Sequence, residues 1–193
     1  MRSKFYYFFL TLLMTGVGTV FLSAQTTQEV IIANGGVFSG TNFATVASYT
    51  PVTDNYFVFD SFAASSVLDL FFHDDVAYVA ADSFIRSYDL SNYSTIATAD
   101  LKGVRKLAVW RDKLLVTRGF GASDQYLKIY DRATLTTTAA DSVGLAGQAE
   151  GVAVLGDSAY VAVPISFFSD TGQFVVVDMN TLGTSTFSLD TNG

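Results

Sequence analysis

An all-β fold, a β-propeller of four-stranded antiparallel blades, is what the sequence predicts, and three observations predict it. No stretch after residue 25 keeps a helical period. Short runs rich in Val, Tyr, Phe and Thr recur instead, separated by Gly, Asp, Asn and Ser, which is the grammar of strands and tight turns. Three segments align without gaps: Val67–Asp75 (VLDLFFHDD), Val104–Asp112 (VRKLAVWRD) and Ala149–Asp157 (AEGVAVLGD). Four landmarks, Tyr49, Tyr88, Tyr130 and Val177, follow one another at 39, 42 and 47 residues, the period of a repeat that carries four strands.

Taken in chain order, the first element is an export signal over 1–24. Arg2 and Lys4 precede an apolar run from Phe5 to Leu22, and Ala24 supplies a small residue before Gln25. That is the pattern of a cleaved signal peptide, with an uncleaved membrane anchor as the alternative. The mature chain, 25–193, then keeps nine basic residues against 18 acidic ones. Such a balance opposes nonspecific binding to nucleic acid or to anionic lipid. The expected location is the periplasm, the cell surface or the medium. Cys is absent, which excludes disulfides, thiolate metal sites, a Cys nucleophile and the lipid-bearing Cys of a lipoprotein.

Repeats follow. The first has strands from about Val30, Phe43 and Tyr56 but no innermost strand before them, and its Ser48–Asp54 matches Ser87–Tyr93. Each of the other three opens with one of the aligned segments and continues into a second apolar run: Ala77–Ala81, Leu114–Arg118 and Ala159–Val163. A third run ends in Tyr88-Asp89, Tyr130-Asp131 and Val177-Asp178, where an Asp side chain can accept a backbone amide two residues on and set a tight turn. A fourth, Thr-rich run closes each repeat. Runs such as Leu70–Phe72 and Val175–Val177 are apolar at every position, as in blades covered on both faces; a β-sandwich would alternate. The expectation is that 25–193 is the N-terminal part of a larger, seven-bladed ring. Missing blades or a partner chain would then cover the two open blade faces. A four-bladed ring is the alternative.

The Tyr-Val pairs at 78–79 and 160–161, the Tyr-Asp and Val-Asp turns, and the opening Val30-Ile-Ile-Ala-Asn-Gly-Gly36 together resemble the secreted YVTN/YncE-like propellers of Gram-negative bacteria. The resemblance covers residues 30–193. It implies a seven-bladed, non-enzymatic surface or periplasmic binder, in some relatives one that captures scarce nutrients beside outer-membrane transporters. This chain departs from the lipoproteins among them by lacking the lipid-bearing Cys.

The residues offer little catalytic chemistry. His73 is the sole histidine, it falls at the turn between first and second strands, and no G-x-S-x-G elbow accompanies it. One His and no Cys exclude ordinary zinc geometry. The acidic stretches His73-Asp74-Asp75 and Ser169-Asp170-Thr171-Gly172 lack the calcium-loop spacing and read as turn caps. No cofactor is expected. All nine basic residues of the mature chain lie between Arg86 and Arg132. Antiparallel geometry puts Arg105, Lys106 and Arg118 at one end of a blade and Arg111 and Lys113 at the other, so they form no continuous phosphate track. Arg105 and Arg118 are either a solvated edge or a small anion cluster. Loops between second and third strands gather at that same end and differ in length: Asp82-Ser83, Gly119–Asp124 and Ile165–Gly172. Phe120, Phe167 and Phe168 stand in them, and Glu150 aligns with Arg105 at the start of the inner strand, toward a central channel. The predicted ligand-binding face is therefore Arg105, Arg118, Phe120, Glu150, Phe167 and Phe168, with the aromatics stacking on a small ligand or an envelope protein and the charges orienting it. Two other functions stay open at this point: a structural or adhesive extracellular repeat, and a propeller lyase or hydrolase using channel carboxylates.

Overall fold

The computed structural model describes residues 28–35, 43–123, 125–138, 141–164 and 172–189. The export signal at 1–24 and both Phe167 and Phe168 lie outside the described residues.

Every regular element described is a strand. Blade 1 holds β1 (Val30–Asn34), β2 (Phe43–Thr50) and β3 (Asn55–Ala63). Blade 2 holds β4 (Val67–His73), β5 (Val76–Ala81), β6 (Phe84–Asp89) and β7 (Ser94–Asp100). Blade 3 holds β8 (Val104–Trp110), β9 (Lys113–Arg118), β10 (Leu127–Asp131) and β11 (Ser142–Val143), and blade 4 holds β12 (Val152–Leu155), β13 (Ser158–Pro164), β14 (Gly172–Asp178) and β15 (Thr184–Leu189). Each sheet is an antiparallel meander in chain order, and none closes on itself. Pairing of Val30 with Tyr49 in blade 1 and of Ala77 with Tyr88 in blade 2 gives β1 the place of a second strand. The partial first repeat is thus in register with the full ones.

The predicted turns recur in atomic detail. Between first and second strands the chain turns at Asp74, Arg111 and Gly156, all left-handed, with φ of 51°, 52° and 59°. Between third and fourth strands the left-handed residue is Asp54, Tyr93, Leu135 or Leu182, with φ of 52°, 60°, 52° and 59°. Bulky residues rarely adopt that conformation. Leu135 is buried and Leu182 packs on the neighbouring core, so burial of the side chain offsets the backbone cost. Asp89, Asp131 and Asp178 each accept the amide two residues on: Ser91 at 2.8 Å, Ala133 at 3.1 Å and Asn180 at 2.9 Å. One more bond ties the two turns of blades 2, 3 and 4 together: the amides of Leu90, Arg132 and Met179 donate to the carbonyls of Asp75, Asp112 and Asp157, all at 2.9 Å.

One fourth strand departs from expectation. In blade 3 the described part of the Thr-rich run, through Thr138, is not a strand; among the described residues Ser142 and Val143 pair with β10, whose Ile129 and Asp131 amides also donate to the Asp141 and Thr136 carbonyls at 2.9 and 2.8 Å. The cause is local. The Asp141 carboxylate accepts the Thr138 amide at 2.9 Å and its hydroxyl at 2.8 Å, and this side-chain turn competes with the ladder.

The core is divided into three, one part per joint between successive blades. Ala44, Val46 and Phe62 of blade 1 meet Val79, Ala81 and Tyr88 of blade 2. Tyr78, Ala80 and Ile85 on the opposite side of blade 2 meet Leu114, Val116 and Tyr130 of blade 3. Leu115, Leu127 and Ile129 of blade 3 meet Ala159, Val161, Val175 and Val177 of blade 4. Inner blades bury both faces, which is why their runs are apolar at successive positions. Polar pins reinforce the joints. Asp60 on β3 accepts both Arg86 Nη1 and the Tyr88 hydroxyl at 2.6 Å. Asp69 on β4 accepts the Leu107 amide at 2.8 Å and Lys106 Nζ at 3.2 Å. Glu29 accepts the hydroxyls of Ser48 and Tyr93, fastening the strand that enters blade 1 to the outer turn of blade 2.

These caps carry a pH dependence. The Ser91 hydroxyl and amide hold the Asp89 carboxyl below its ordinary range, and the Thr134 hydroxyl and amide do the same for Asp131. The Asn180 side chain, with Trp110 and Arg111, lowers Asp157. A carboxyl depressed in the folded state stabilises above its unfolded pKa, and that stability is lost as pH falls through the folded value. Melting temperature is therefore expected to be flat from neutral pH down to about 5 and to drop below about 4, where unfolded Asp begins to protonate. Calorimetry over a pH series checks this; a melting temperature rising as pH falls from about 5 to 3 would contradict it.

Candidate functional site

The two ends of the blades are built differently. One end carries the short, self-capped turns, and its polar groups bond to one another across blades. Arg132 reaches Asp74 at 3.0 Å, Arg111 reaches Asp157 at 2.8 Å while lying 4.3 Å over the Trp110 ring, and Trp110 Nε1 donates to Asp157 at 3.1 Å. His73 sits here, 3.5 Å from Asp74. Among the described residues no three His, Asp or Glu side chains gather as a metal site.

The opposite end carries the variable loops. Pairing of Val104 with Arg118 and of Trp110 with Lys113 puts Arg105 and Arg118 at this end and Arg111 and Lys113 at the other, as antiparallel geometry requires. Arg105 and Glu150, equivalent positions of successive repeats, meet across the joint between blades 3 and 4, with Nε 3.2 Å from Oε1. The contact is an ion pair and not a hydrogen bond, Nε having no hydrogen-bond partner among the described residues. Arg118 is 8% exposed and spends its guanidinium on the chain, donating to the carbonyls of Lys102 at 3.0 Å and Gln125 at 3.3 Å. It clamps the loop after β9 to the segment before β8.

That loop is held at several points. The Gly119 amide donates to the Gly103 carbonyl at 2.7 Å, and the Ala122 amide donates back to Gly119 at 3.0 Å. Gly103 has φ of +75°, and a Cβ there would lie 2.9 Å from the Ala122 nitrogen; only glycine permits the loop to rest on it. A Cβ on Gly119 would fall 2.5 Å from Arg105 Nε and 3.2 Å from Glu150 Oε1, so the ion pair lies against bare backbone. Thr117 completes the joint. Its hydroxyl accepts the Lys106 amide at 2.9 Å and donates to the Glu150 carbonyl at 2.8 Å. From this anchored base Phe120 projects outward, 82% exposed.

The structure thus brings Arg105, Glu150, Arg118 and Phe120 to one end of one joint. Three further participants, Gly103, Gly119 and Thr117, escape a reading of sequence by charge and aromaticity. A signal for Thr117 exists in the alignment, where Ala80 and Ala162 hold the equivalent position: a hydroxyl replaces a methyl group at a buried site.

The solved structures with similar folds are WD40-type and related propellers. A chain of the Mitotic Checkpoint Complex crystal structure superposes with a TM-score of 0.58 at 15% identity, over 87% of this chain and 55% of that one. The C-terminal WD40 domain of Sif2 gives 0.55 at 13% identity, over 83% and 47%. The chain is built as propeller blades. With the N-terminal domain of Nup159 the score is 0.50 at 17% identity, over 85% and 42%. The chain spans about half the length of the solved chains it matches. No family model and no curated protein matches it, so the resemblance to secreted YVTN/YncE-like propellers rests on the motifs quoted above.

Proposed function

We propose that this chain is an exported, non-enzymatic propeller scaffold that binds a ligand or an envelope protein through the loop end of its blades. The observation that carries the reading is the contrast between the two ends. At the turn end Arg132 pairs with Asp74, and Arg111 and Trp110 with Asp157. At the loop end a large aromatic ring is held in water by an anchored turn. Exposed Phe is unfavourable to folding, and a pinned loop gives it no route to cover itself, so its presence is best explained by contact with something else. Fixing the ring beforehand also reduces the ordering cost of binding.

In this reading Phe120 is the anchor; Phe167 and Phe168, outside the described residues, remain the sequence's further aromatic candidates. Arg105 and Glu150 offer one cation and one anion beside it, and Arg118 holds the loop in place. Export by residues 1–24 and the likeness to secreted propellers support an envelope or extracellular setting, and nutrient capture is the finer role that likeness suggests. The propellers above share the fold and identify no partner. Among the described residues no histidine stands beside the ion pair, His73 lying at the opposite end of the blades, which favours binding over a lyase or hydrolase. A purely structural repeat would have no need of an exposed ring on a braced loop.

Photo-crosslinking in the producing cells tests the proposal. A benzophenone amino acid replaces Phe120 in one variant and Val52, 77% exposed in the outer turn of blade 1, in another. An adduct at position 120 and none at position 52 is expected. Equal labelling at both, or none at 120, would overturn the reading.

A further inference from the structure

Arg105 differs from the other described arginines. Arg86, Arg111, Arg118 and Arg132 each donate hydrogen bonds to carboxylates or backbone carbonyls. Arg105 donates none to any described residue, although its side chain is only 29% exposed. A guanidinium carries five N–H donors. Leaving them unmatched at a half-buried place costs stability, and such groups in native proteins call for an explanation.

The base of this side chain is fixed. Arg105 lies along the bare backbone of Gly119, where a Cβ would meet Nε at 2.5 Å and Cγ at 3.1 Å. Glu150 holds the Nε side at 3.2 Å. The backbone of Glu150 is tied in turn, its amide to the Ala162 carbonyl at 2.9 Å and its carbonyl to the Thr117 hydroxyl at 2.8 Å. Nε is shut away from solvent, whereas the equally unpartnered Nη1 and Nη2 are open to it. The free edge of the fork is therefore its pair of Nη atoms, which can take the two oxygens of one anion side by side.

Two neighbours narrow the anion. The Glu150 carboxylate beside Nε repels a second negative charge, so a carboxylate fits better than a dianionic phosphate. Phe120 follows Gly119 directly and is 82% exposed, so an apolar surface stands one residue from the backbone that carries the fork. We propose that the loop end of this joint takes a monocarboxylate on an apolar or aromatic body, an inference that rests on Phe120 being a binding anchor. Arg105 receives the carboxylate and Phe120 the body. A small organic acid and the C-terminal carboxylate of a polypeptide ending in an apolar residue share this chemistry.

Titration of the full chain with N-acetylphenylalanine and with its amide tests the proposal, followed by the backbone amide NMR signals of Gly119, Phe120 and Gly121. The acid should shift these signals, and the amide should bind at least about tenfold more weakly. Arg105→Gln should lose the preference for the acid while the signals of the other blades stay in place. Should that variant fail to fold, Arg105→Lys keeps the charge, removes the fork and should reduce the preference. No response to the acid, an equal response to acid and amide, or a preference that survives both substitutions would overturn the proposal. Crosslinking from position 120 in the producing cells keeps this failure distinct from failure of the binding face. An adduct that forms as strongly with Arg105→Gln as without it leaves the face standing and removes the carboxylate. No adduct in either chain removes the face, and the proposal with it. The mass of an adduct that Arg105→Gln abolishes tells a small acid from a polypeptide C-terminus.

Discussion

Replacing Asp60 by alanine is expected to destabilise the chain by about 2–4 kcal/mol, the largest effect of any polar substitution described here. One carboxylate oxygen takes two charge-assisted bonds, from Arg86 Nη1 and the Tyr88 hydroxyl, each 2.6 Å long. Burial alone pushes the Asp60 carboxyl up, yet Tyr88 and Arg86 outweigh it and hold the group below the ordinary range. Arg86 cannot easily turn to water in compensation. Its guanidinium lies 5.1 Å from the Phe62 ring and 5.3 Å from Phe84, and its Nε is bonded to Thr98 at 3.1 Å. Alanine at 60 leaves a cation and a phenol side by side without their acceptor. Tyr88→Phe, which removes one donor and leaves the ion pair, should cost about 1 kcal/mol. Urea denaturation of the two variants decides the matter. The Asp60–Arg86 coupling should exceed about 1 kcal/mol in a double-mutant cycle, and a cost below about 0.5 kcal/mol for Asp60→Ala would show the network to be a bystander. The damage should be local, with faster amide exchange in β1, β2 and β3, because this network and the apolar cluster beside it join blade 1 to the rest.

Much of this was readable beforehand because a propeller repeats. Val67–Asp75, Val104–Asp112 and Ala149–Asp157 each place a hairpin, and the third-run Asp residues cap the turns that their chemistry implies. Repetition also assigns faces. Once Leu114 and Leu115 are known to alternate, Ala159 and Tyr160 follow. What repetition could not disclose is where one blade differs from its siblings. The Thr-rich run of blade 3 has the composition of a strand, but the choice between ladder and side-chain turn is set by Asp141, a single residue outside the run.

Charge was the poorer guide. Arg118, read by charge alone, is either a solvated edge residue or a member of an anion cluster with Arg105. Its aligned neighbours Ala81 and Val163 are both buried, which marks the position as interior, and there the guanidinium serves backbone carbonyls. Arg105 and Glu150 align with one another, so the sequence treats them as the same place in different blades. Only the stacking of blades shows that successive copies of one position can meet as partners. Phe120 is the opposite case. Its neighbours Gly119 and Gly121 deny it a strand, and the structure leaves the ring in water. The anchoring of its loop on Gly103 depends on a close approach between segments that sequence spacing does not encode.

Division of the core into joints leads to a second large effect with an unusual form. Leu114→Ala and Leu115→Ala are each expected to cost about 2–5 kcal/mol, the range for truncating a fully buried Leu, against a total stability of about 5–15 kcal/mol. Both side chains are 0% exposed. Although adjacent in sequence they face opposite sides of β9, and they serve different cores. Leu114 lies among Tyr78, Ile85 and Leu107, whereas Leu115 lies among Ala159, Val161 and Val175. Blades touch only their neighbours, so a cavity in one joint should weaken that joint first, as in other stacked-repeat architectures. Hydrogen exchange is the measurement. Leu115→Ala should raise exchange through β12, β13 and β14 while β4, β5 and β6 keep their protection, and Leu114→Ala should loosen the contact between blades 2 and 3 instead. Neighbouring core residues usually couple strongly. Here the two costs should add to within about 0.5 kcal/mol, because no cavity is shared across the sheet. Identical exchange patterns in the two variants, or a coupling well above that figure, would mean that the blades unfold as one unit and that the three clusters are a single core.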